Sequence, residues 1–453
     1  MAESIFAVPV MDRWLLYRPL QGTAALVDRM VLDCLNNGRR GSGGVGRGST
    51  ISFAASQQAD PPTARTGPPR PQFLGLIPTR SCNIRCAYCG FGSSESCMND
   101  RMSPDVAAAA IDWLAERVVS SNGSVLSVHF FGGEPFVAEA LVRAAVAHAE
   151  KVAANNGLGV HFEASTNGVF DARCAQFVAE HFGTIVLSFD GPPEFQDRNR
   201  PRKDGSGTYE AVARTVRRLE GSGVKLCFRV CVTADNVGRL PEIVQWFCDR
   251  FRFGVVDLER LESNAESTTA GLFPPEPYEF ARQFVKAARV AEAAGVECIW
   301  SALRSSEPRL TSCPVGQDTV IVSPDGRVSA CYLQQCEWQK RGLDLDLGQV
   351  NATHLQLDAA AVERVRKLVC DKPRCERCYA RWTCAGGCHV SITYPGCSIE
   401  YSDYCVQTRV LFAHSLLCKL GENKAAEALI SSREAMETLV RHPADMIRLE
   451  GEE

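Results

Sequence analysis

The sequence predicts an α/β fold built around a parallel sheet. Apolar runs rich in β-forming residues alternate with helical stretches from Phe73 onward, and this alternation is typical of parallel strands joined by right-handed crossovers. Short polar and glycine-rich segments follow the ends of the predicted strands, where functional residues gather in such sheets. Cysteines become dense from about residue 308, which predicts a separate, metal-rich region.

The elements of the sheet region can be placed from hydrophobic periodicity. The predicted strands cover 73–78, 125–131, 160–166, 184–189, 224–232 and 255–261. The helices between them cover 106–119, 138–155, 172–181, 209–221 and 240–250. A further helix is predicted at 277–294, and a hairpin at 319–332 turns at Pro324-Asp325-Gly326.

The two ends of the chain differ in composition from the sheet region. Residues 1–37 predict a small N-terminal module with a strand at Trp14–Tyr17 and a helix over Ala24–Leu32. Residues 38–70 are rich in Gly and Pro and predict a flexible linker. The other predicted units are a sheet domain, a cysteine-rich domain and a charged helical tail, at 71–300, 301–420 and 421–453.

Composition excludes several classes of partner. The net charge of −4 comes without a basic stripe, so nucleic acid is not expected as a partner. The apolar runs are short and interrupted, which argues against a membrane-spanning helix, and the chain opens without a secretory signal. Twenty-one cysteines in a large chain of this kind indicate metal or redox chemistry in a reducing cytoplasm.

Three cysteines on one predicted loop carry the strongest chemical pattern. Cys82, Cys86 and Cys89 follow the first strand at C-x-x-x-C-x-x-C spacing. Three thiolates so placed can hold three irons of a 4Fe–4S cluster and leave the fourth iron open. The alternative is a zinc knuckle, which needs a fourth ligand close by. Cys97 is near enough in sequence, but its spacing fits no common zinc pattern.

The surrounding residues connect this loop to a known family. Tyr88 precedes the third cysteine, and Gly132-Gly133-Glu134-Pro135 follows the second strand. Together these motifs resemble the radical S-adenosylmethionine (SAM) superfamily. The resemblance implies a partial (βα)6 TIM-like barrel, a catalytic cluster on the three cysteines and SAM bound at the open iron. Gly132 and Gly133 would let the backbone approach the ligand, and Glu134 would accept from its ammonium.

Further SAM contacts are implied by position in the resembling family. Residues at the ends of the third and fourth strands fall where relatives contact the ribose and carboxylate, namely Ser165, Asn167, Ser188 and Asp190. Arg200 resembles a family arginine that meets the SAM carboxylate, and Tyr88 is expected near the adenine. The plainer interpretation is that Asn-Gly and Asp-Gly form ordinary turns after strands and that Tyr88 packs within its loop.

Seven cysteines near the carboxyl end form a second pattern, which also includes Gly326. Their order is Cys313-x12-Gly326-x4-Cys331, then Cys375-x2-Cys378-x5-Cys384-x3-Cys388, then Cys405. This order resembles the SPASM extension, which holds two auxiliary 4Fe–4S clusters in peptide-modifying radical SAM enzymes. The resemblance assigns Cys375, Cys378, Cys384 and Cys405 to an outer cluster, and Cys313, Cys331 and Cys388 to an inner one.

The fourth ligand of the inner cluster is left open by the sequence. Cys298 and Cys336 are candidates, and an open iron that binds a substrate thiolate is a third possibility. Paired zinc sites are the alternative for the whole region, because C-x-x-C pairs also suit tetrahedral zinc.

The combined motifs predict an enzyme with SAM and three 4Fe–4S clusters as cofactors. The expected activity is that of a radical SAM peptide maturase: reductive cleavage of SAM to a 5′-deoxyadenosyl radical, hydrogen abstraction from a precursor-peptide side chain and formation of a thioether or carbon–carbon cross-link. The expected partners are that peptide, whose leader would dock on the N-terminal module, and an electron donor such as flavodoxin or ferredoxin.

Two alternatives to this activity were open at the level of sequence. One is an anaerobic sulfatase-maturating enzyme, which makes formylglycine. Such enzymes carry an aspartate directly after the cysteine that corresponds to Cys331, whereas Tyr332 stands here. The other is a non-catalytic metal-cluster scaffold.

Overall fold

The protein is represented by a computed structural model. It describes residues 5–36, 60–91, 101–303, 308–370, 372, 375–389, 402–441 and 445–447. Cys97 therefore lies outside the described residues, as does most of the predicted linker. None of the helices in these ranges is long and apolar enough to cross a membrane.

The secondary structure consists of strands and helices in the following order. The strands are β1 (Ile5–Val10), β2 (Arg13–Arg18), β3 (Thr23–Val27), β4 (Leu74–Leu76), β5 (Val125–Phe130), β6 (Gly159–Thr166), β7 (Thr184–Ser188), β8 (Lys225–Val232), β9 (Val255–Arg260), β10 (Glu297–Ile299), β11 (Val320–Val322), β12 (Arg327–Ser329), β13 (Asp346–Val350), β14 (Leu355–Leu357) and β15 (Asp445–Ile447). The helices are α1 (Arg29–Asn36), α2 (Pro104–Ser120), α3 (Glu139–Asn156), α4 (Ala172–His181), α5 (Pro193–Asn199), α6 (Tyr209–Leu219), α7 (Leu240–Arg250), α8 (Ala265–Thr269), α9 (Pro277–Ala293), α10 (Gln335–Gln339), α11 (Ala359–Leu368), α12 (Arg381–Cys384), α13 (Asp403–Lys419), α14 (Asn423–Ser431) and α15 (Arg433–Arg441).

The central sheet has the strand order β10-β9-β8-β7-β6-β5-β4-β11-β12-β13-β14. Every pairing from β10 through β11 is parallel. The pairings from β11 through β14 are antiparallel. The α/β class with a parallel sheet is therefore confirmed, and the predicted hairpin corresponds to β11 and β12. The six predicted strands correspond to β4 through β9, each hydrogen-bonded to its neighbours in sequence.

The two faces of this sheet have different side chains, because residues alternate between faces along each strand. One face carries fully buried apolar residues such as Val128, Leu187 and Leu258, which join a core with residues of the helices. On the other face, cross-strand neighbours are polar: His129 pairs with Glu163, Ser188 with Arg229, and Arg229 with Asp257. We call this second side the polar face. Its lower end is apolar, formed by Val186, Cys227, Val255 and Ile299.

A second, antiparallel sheet joins the two ends of the described chain in the order β15-β1-β2-β3. The predicted strand at Trp14–Tyr17 is confirmed within β2. The predicted helix over Ala24–Leu32 is wrong in its first half, where β3 forms instead and α1 begins only at Arg29. Pairing with β2, which sets Trp14 opposite Val27, overrides the local helical spacing.

The tail predicted to be helical contains α14 and α15, but it also supplies β15 to the same sheet. The sheet is attached to the carboxyl-terminal helices by polar and aromatic contacts. Arg13 Nη2 lies 3.0 Å from Glu422 Oε2, and the rings of Tyr17 and Phe412 meet edge to face at 5.4 Å.

The described part of the predicted linker, residues 60–70, is held by hydrogen bonds. Arg366 Nη1 donates to the Gly67 carbonyl at 2.9 Å, and the Arg70 amide donates to Asp318 Oδ2 at 3.0 Å. Arg366 and Asp318 form an ion pair at 2.7 Å with side-chain exposures of 2% and 1%. This buried pair fastens the segment to α11.

Replacing Arg366 by alanine is expected to lower the free energy of unfolding by about 3 kcal/mol, because it leaves the buried Asp318 carboxylate without its main partner. Arg364→Ala is the matched control on the same helix, since its pair with Asp344 is 44% and 55% exposed and contributes at most about 1 kcal/mol. Urea unfolding of both variants checks this; equal losses would contradict it.

Candidate active site

The loop that follows β4 carries Cys82, Cys86 and Cys89, all of them half-buried. Its middle is fastened to the segment after α5. The Arg85 amide donates to the Pro201 carbonyl and the Ala87 amide to the Asn199 carbonyl, both at 2.8 Å. The loop thus has a fixed path over the carboxyl end of the sheet.

The three thiols lie in one neighbourhood. In addition to burial, the charge of Cys89 raises the pKa of both Cys82 and Cys86, and the charge of Cys82 raises the pKa of Cys86. Burial raises the pKa of Cys82 to about 11 and that of Cys86 to about 12. A metal cluster would therefore have to displace protons on binding. As the side chains stand, no set of three or more His, Cys, Asp or Glu residues in the described ranges has metal-ligand geometry.

The Gly132-Gly133-Glu134 segment packs directly on this loop. The Gly133 amide donates to the Thr79 carbonyl at 3.1 Å, and the Glu134 amide donates to the Ser81 carbonyl at 2.9 Å. A Cβ on Gly133 would lie 2.3 Å from the Arg80 carbonyl oxygen. Only glycine allows this approach, so the motif holds the cysteine loop close to the end of β5.

The Glu134 carboxylate points inward. Only 1% of the residue is exposed, and its oxygens accept from the Thr166 hydroxyl at 2.8 Å and the Asn167 and Phe136 amides at 2.7 and 3.2 Å. Burial raises the pKa of Glu134 to about 7 against the effect of these donors. This arrangement differs from the expected one, in which the carboxylate is open to a ligand ammonium. The inward carboxylate instead fixes the turn after β6.

That turn places Asn167 against the first cysteine. Its side-chain amide lies 3.5 Å from Cys82 Sγ and donates to Asn83 Oδ1 at 2.8 Å. Asn167 Oδ1 accepts from the Val169 amide at 2.8 Å. Asn167 therefore belongs to the cysteine site. Ser165 and Ser188 are half-buried and lie on the polar face near the ends of β6 and β7.

Asp190 organises the other side of the loop. It is fully buried, and both of its oxygens are engaged by the protein. Oδ2 accepts from the Tyr88 hydroxyl at 2.6 Å and from Asn199 Nδ2 at 3.3 Å. Oδ1 accepts from the Cys231 amide at 3.0 Å and lies 3.2 Å from Arg200 Nε. The structure thus brings together Tyr88, Asp190 and Arg200.

Arg200 carries a positive charge to the cysteine loop. Its guanidinium stacks over the Tyr88 ring at 5.1 Å, and Nη1 lies 3.9 Å from Cys86 Sγ. Burial opposes the charge, but Asp190 and, after it, Tyr88, Cys86 and Cys231 together outweigh burial and raise the pKa of Arg200 well above its ordinary value. The guanidinium therefore stays charged, ready to meet an anionic group beside the cluster loop.

The carboxyl-terminal cysteines divide into two neighbourhoods. Burial, and then the charges of Cys388 and Cys313, raise the pKa of Cys331. The pKa of Cys384 is raised by burial and then by the charges of a different set of cysteines, namely Cys405, Cys378 and Cys375. This division is the one that the family resemblance assigns to the inner and outer groups.

Neither candidate for the fourth inner ligand joins these neighbourhoods. Cys298 lies on β10, where its charged neighbours are Asp257 and Cys248. Cys336 is exposed on α10, with its thiol near Gln334 Oε1 and Glu337 Oε1. The residues at 304–307 lie outside the described part of the chain.

Sequence reasoning missed several residues of the site. Asn83, Thr166, Asn199 and Cys231 complete the hydrogen bonds around the loop, but each sits in a local pattern that has no special spacing. The sequence did contain one signal of the polar face, namely charged residues inside apolar strands. Arg229 lies within β8 and Asp257 within β9, and the two are cross-strand neighbours on that face.

The fold and the site together define a class, that of proteins with three cysteines on the loop after the first strand of a parallel α/β sheet. The family is narrower. Residues 76–247 match the family model of the Radical SAM superfamily, so the chain carries a radical SAM domain, and it is similar to maturases that carry such a domain. This family implies a 4Fe–4S cluster and SAM as cofactors.

Two curated relatives show the extent of the likeness. The cysteine-type anaerobic sulfatase-maturating enzyme of Clostridium perfringens (strain 13 / Type A) is 25% identical over 186 residues, which are 40% of this chain and 50% of the relative. PqqA peptide cyclase of Gluconobacter oxydans (strain 621H) is 25% identical over 273 residues, 59% of this chain and 72% of the relative. The chain thus spans about half the length of the first of these relatives.

A solved structure extends the comparison to the fold. Native anSMEcpe with bound AdoMet and Cp18Cys peptide has a TM-score of 0.60 at 19% sequence identity, covering 80% of this chain and 100% of that chain. At this identity the likeness shows the fold alone, an α/β architecture with a parallel central sheet.

The described residues fit the cofactors that the family implies. Three thiols on one loop form the donor set of a 4Fe–4S cluster with an open iron. The missing side chain of Gly133 keeps the adjoining backbone close to that loop, and Arg200 holds a charge near Cys86 that complements a carboxylate.

Proposed function

We propose that this protein is a radical SAM peptide maturase that forms an oxidative cross-link, a thioether or a carbon–carbon bond, in a precursor peptide. The observation that carries the proposal is the convergence of the three-cysteine loop, the glycine segment packed on it and the Arg200–Asp190 pair at the carboxyl end of the parallel strands. When bound, the cluster and SAM would supply a 5′-deoxyadenosyl radical.

The residues of this chain would hold the cofactors as follows. Cys82, Cys86 and Cys89 would bind the cluster, and the backbone of Gly132 and Gly133 would lie beside the methionine end of SAM. Arg200 would meet the SAM carboxylate, with Asp190 keeping the guanidinium oriented. The ribose and adenine would lie near Ser165, Asn167, Ser188 and Tyr88. Glu134 would act indirectly, by fixing the turn that carries Asn167.

The architecture supports finer proposals. The sequential parallel strands would form a partial (βα)6 barrel with the polar face inside. The two groups of carboxyl-terminal cysteines would bind two auxiliary clusters in a SPASM domain, giving three 4Fe–4S clusters in all. The abundance of cysteine favours a reducing, cytoplasmic setting, and flavodoxin or ferredoxin would supply electrons.

The substrate proposal concerns a peptide with a leader. PqqA peptide cyclase, a relative of this chain, is named for action on a peptide, and anSMEcpe has been solved with one bound. Within the described ranges, the small sheet formed by β1, β2, β3 and β15 ends at β3, which pairs with β2 on one side only. A leader could add to that edge as a further strand.

The second candidate is formylglycine formation, which the likeness to anaerobic sulfatase-maturating enzymes favours. One observation disfavours it. Tyr332 stands where that family has its aspartate base, and it packs on Phe131 at a ring distance of 4.6 Å. Burial raises the pKa of Tyr332 far above its ordinary value, so the phenol stays neutral and is a poor base.

Anaerobically reconstituted protein, SAM and dithionite should release 5′-deoxyadenosine in the presence of a precursor peptide. Mass spectrometry should show loss of a hydrogen pair mapped to two linked residues. An aldehyde at a single Cys or Ser of a sulfatase-type peptide would instead establish formylglycine formation. Absence of 5′-deoxyadenosine with either peptide would leave the cluster-scaffold alternative.

A further inference from the structure

A charged group occupies the polar face on β8 and β9, away from the cysteine loop. Arg229 donates from Nε and Nη2 to Asp257 Oδ2 at 3.0 and 2.9 Å. Two residues further along β9, Glu259 accepts from the Ser301 amide at 3.1 Å and from the Ser301 hydroxyl at 3.2 Å. We call the carboxylates of Asp257 and Glu259, together with their partners Arg229 and Ser301, the carboxyl group pair.

The carboxyl group pair lies between the apolar floor of the polar face and the Asp190 cluster. The register sets Cys227 beside Val255 in the floor, Arg229 beside Asp257 in the next layer and Cys231 beside Glu259 above it. The Cys231 amide donates to Asp190 Oδ1. Glu259 therefore lies next to Cys231, on the strand beside the Asp190 side-chain cluster that would hold SAM.

The pair can be reached from the polar face. The Arg229 side chain is 36% exposed, and Glu259 is half-buried. The two bonds to Asp257 use Nε and Nη2 of Arg229. Among the described residues, its Nη1 donates to no protein acceptor. A peptide side chain that enters this face would meet Arg229 and Glu259.

Asp257 and Glu259 lie two residues apart on the same face of β9. Asp257 is fully buried and its Oδ1 has no hydrogen-bond donor among the described groups. A protonated Glu259 would supply that donor, because it lies next to Asp257 on the same face of the strand. Burial first, and then the charge of Asp257, raise the pKa of Glu259 to about 8 against the effects of Arg229 and Ser301. Tyr404 of α13 also faces Glu259 and is neutral, because burial raises its pKa.

We propose that Glu259 is the catalytic base that takes the proton from the peptide during its oxidation, with Asp257 and Arg229 as its positioning residues. This inference rests on the proposed function. After a hydrogen atom has left a substrate carbon, the adjoining S–H, O–H or N–H bond breaks. Its proton goes to the Glu259 carboxylate and the new bond to carbon forms. An auxiliary iron–sulfur cluster, which the carboxyl-terminal cysteines would hold, would serve as the oxidant for the one electron released.

This assignment supplies the base that Tyr332 cannot provide. A base whose pKa lies near the working pH is matched to proton transfer. The rate of product formation should rise with pH and level off above about 8, because only the ionised carboxyl can accept.

The test uses Glu259→Gln in the full chain, with its clusters reconstituted anaerobically and the precursor peptide and SAM added. Glutamine keeps the shape of the protonated acid and can donate to Asp257, so the fold should persist. Cross-linked product should fall by about 100-fold or more, the range expected for loss of a general base. Release of 5′-deoxyadenosine should persist. Unchanged product formation, or a wild-type pH profile in the variant, would overturn the proposal.

The matched control is Glu297→Gln, the same chemical change at an exposed position on neighbouring β10, which should leave both readouts unchanged. An independent measurement needs no turnover. Infrared difference spectra between pH 7 and pH 9 should show a protonated carboxylic acid band that Glu259→Gln removes and Glu297→Gln keeps. If the band is absent from the wild type, Glu259 is not protonated and its assignment as the base fails, even where 5′-deoxyadenosine release upholds the radical SAM activity. If the band is present and no 5′-deoxyadenosine forms, the proposed function fails and Glu259 is not its base.

Discussion

Replacing Cys82, Cys86 and Cys89 by alanine together should abolish release of 5′-deoxyadenosine. The three thiols are the only protein ligands proposed for the catalytic cluster, and without the cluster no electron reaches SAM. Loss of an outer partner of a metal ligand alone can lower activity by about 10–100-fold. Loss of all three ligands should therefore lower activity by more than about 100-fold.

The measurement pairs iron content with product analysis under anaerobic conditions. The triple variant should lack the iron bound at this loop. Cys34→Ala, at an exposed cysteine of α1, is the control and should keep full activity. Wild-type turnover in the triple variant would refute the assignment of the site.

Asp190→Asn should lower the free energy of unfolding by about 3–5 kcal/mol and weaken SAM binding. Asp190 is the charged partner of Arg200, whose side chain is 9% exposed, and removing one member of a buried pair leaves the other charge uncompensated. Arg200 also stacks on Tyr88, which loses the acceptor of its short hydrogen bond. The guanidinium would then leave its place beside Cys86.

Urea unfolding and SAM titration by calorimetry measure the two effects. Asp235→Asn is the matched control, because Asp235 pairs with Arg198 at 3.1 Å while both side chains are about half exposed. An exposed pair of this kind contributes at most about 1 kcal/mol. Similar unfolding curves for the two variants would show that the Asp190 cluster does not stabilise the loop.

Much of the sheet domain could be predicted because its elements are locally encoded. Helices α4 and α7 match their predicted bounds, since their apolar spacing is clear. The small sheet could not be predicted in full. Strand β3 forms through pairing with β2, and β15 through pairing with a strand at the other end of the chain.

The candidate site divides in the same way. The spacing of Cys82, Cys86 and Cys89 is readable from sequence because all three lie on one loop. The inward direction of Glu134 depends on Thr166 and Asn167, which the fold brings from another strand. The contact between Glu259 and Ser301 likewise depends on the chain after β10 folding back over β9.

The pairing of β1 with β15 also bears on how the polypeptide folds during synthesis. The register sets Ile5 opposite Ile447, so one edge of β1 is completed by a strand that is synthesised much later along the chain. Until β15 is synthesised, one edge of β1 stays unpaired. Apolar side chains of β1 such as Ile5 and Val8, which are nearly inaccessible in the folded protein, then remain more exposed. Nascent chains with such edges aggregate readily. Expression should therefore benefit from slow translation or chaperone co-production, and a tag that displaces β15 should reduce the yield of native protein.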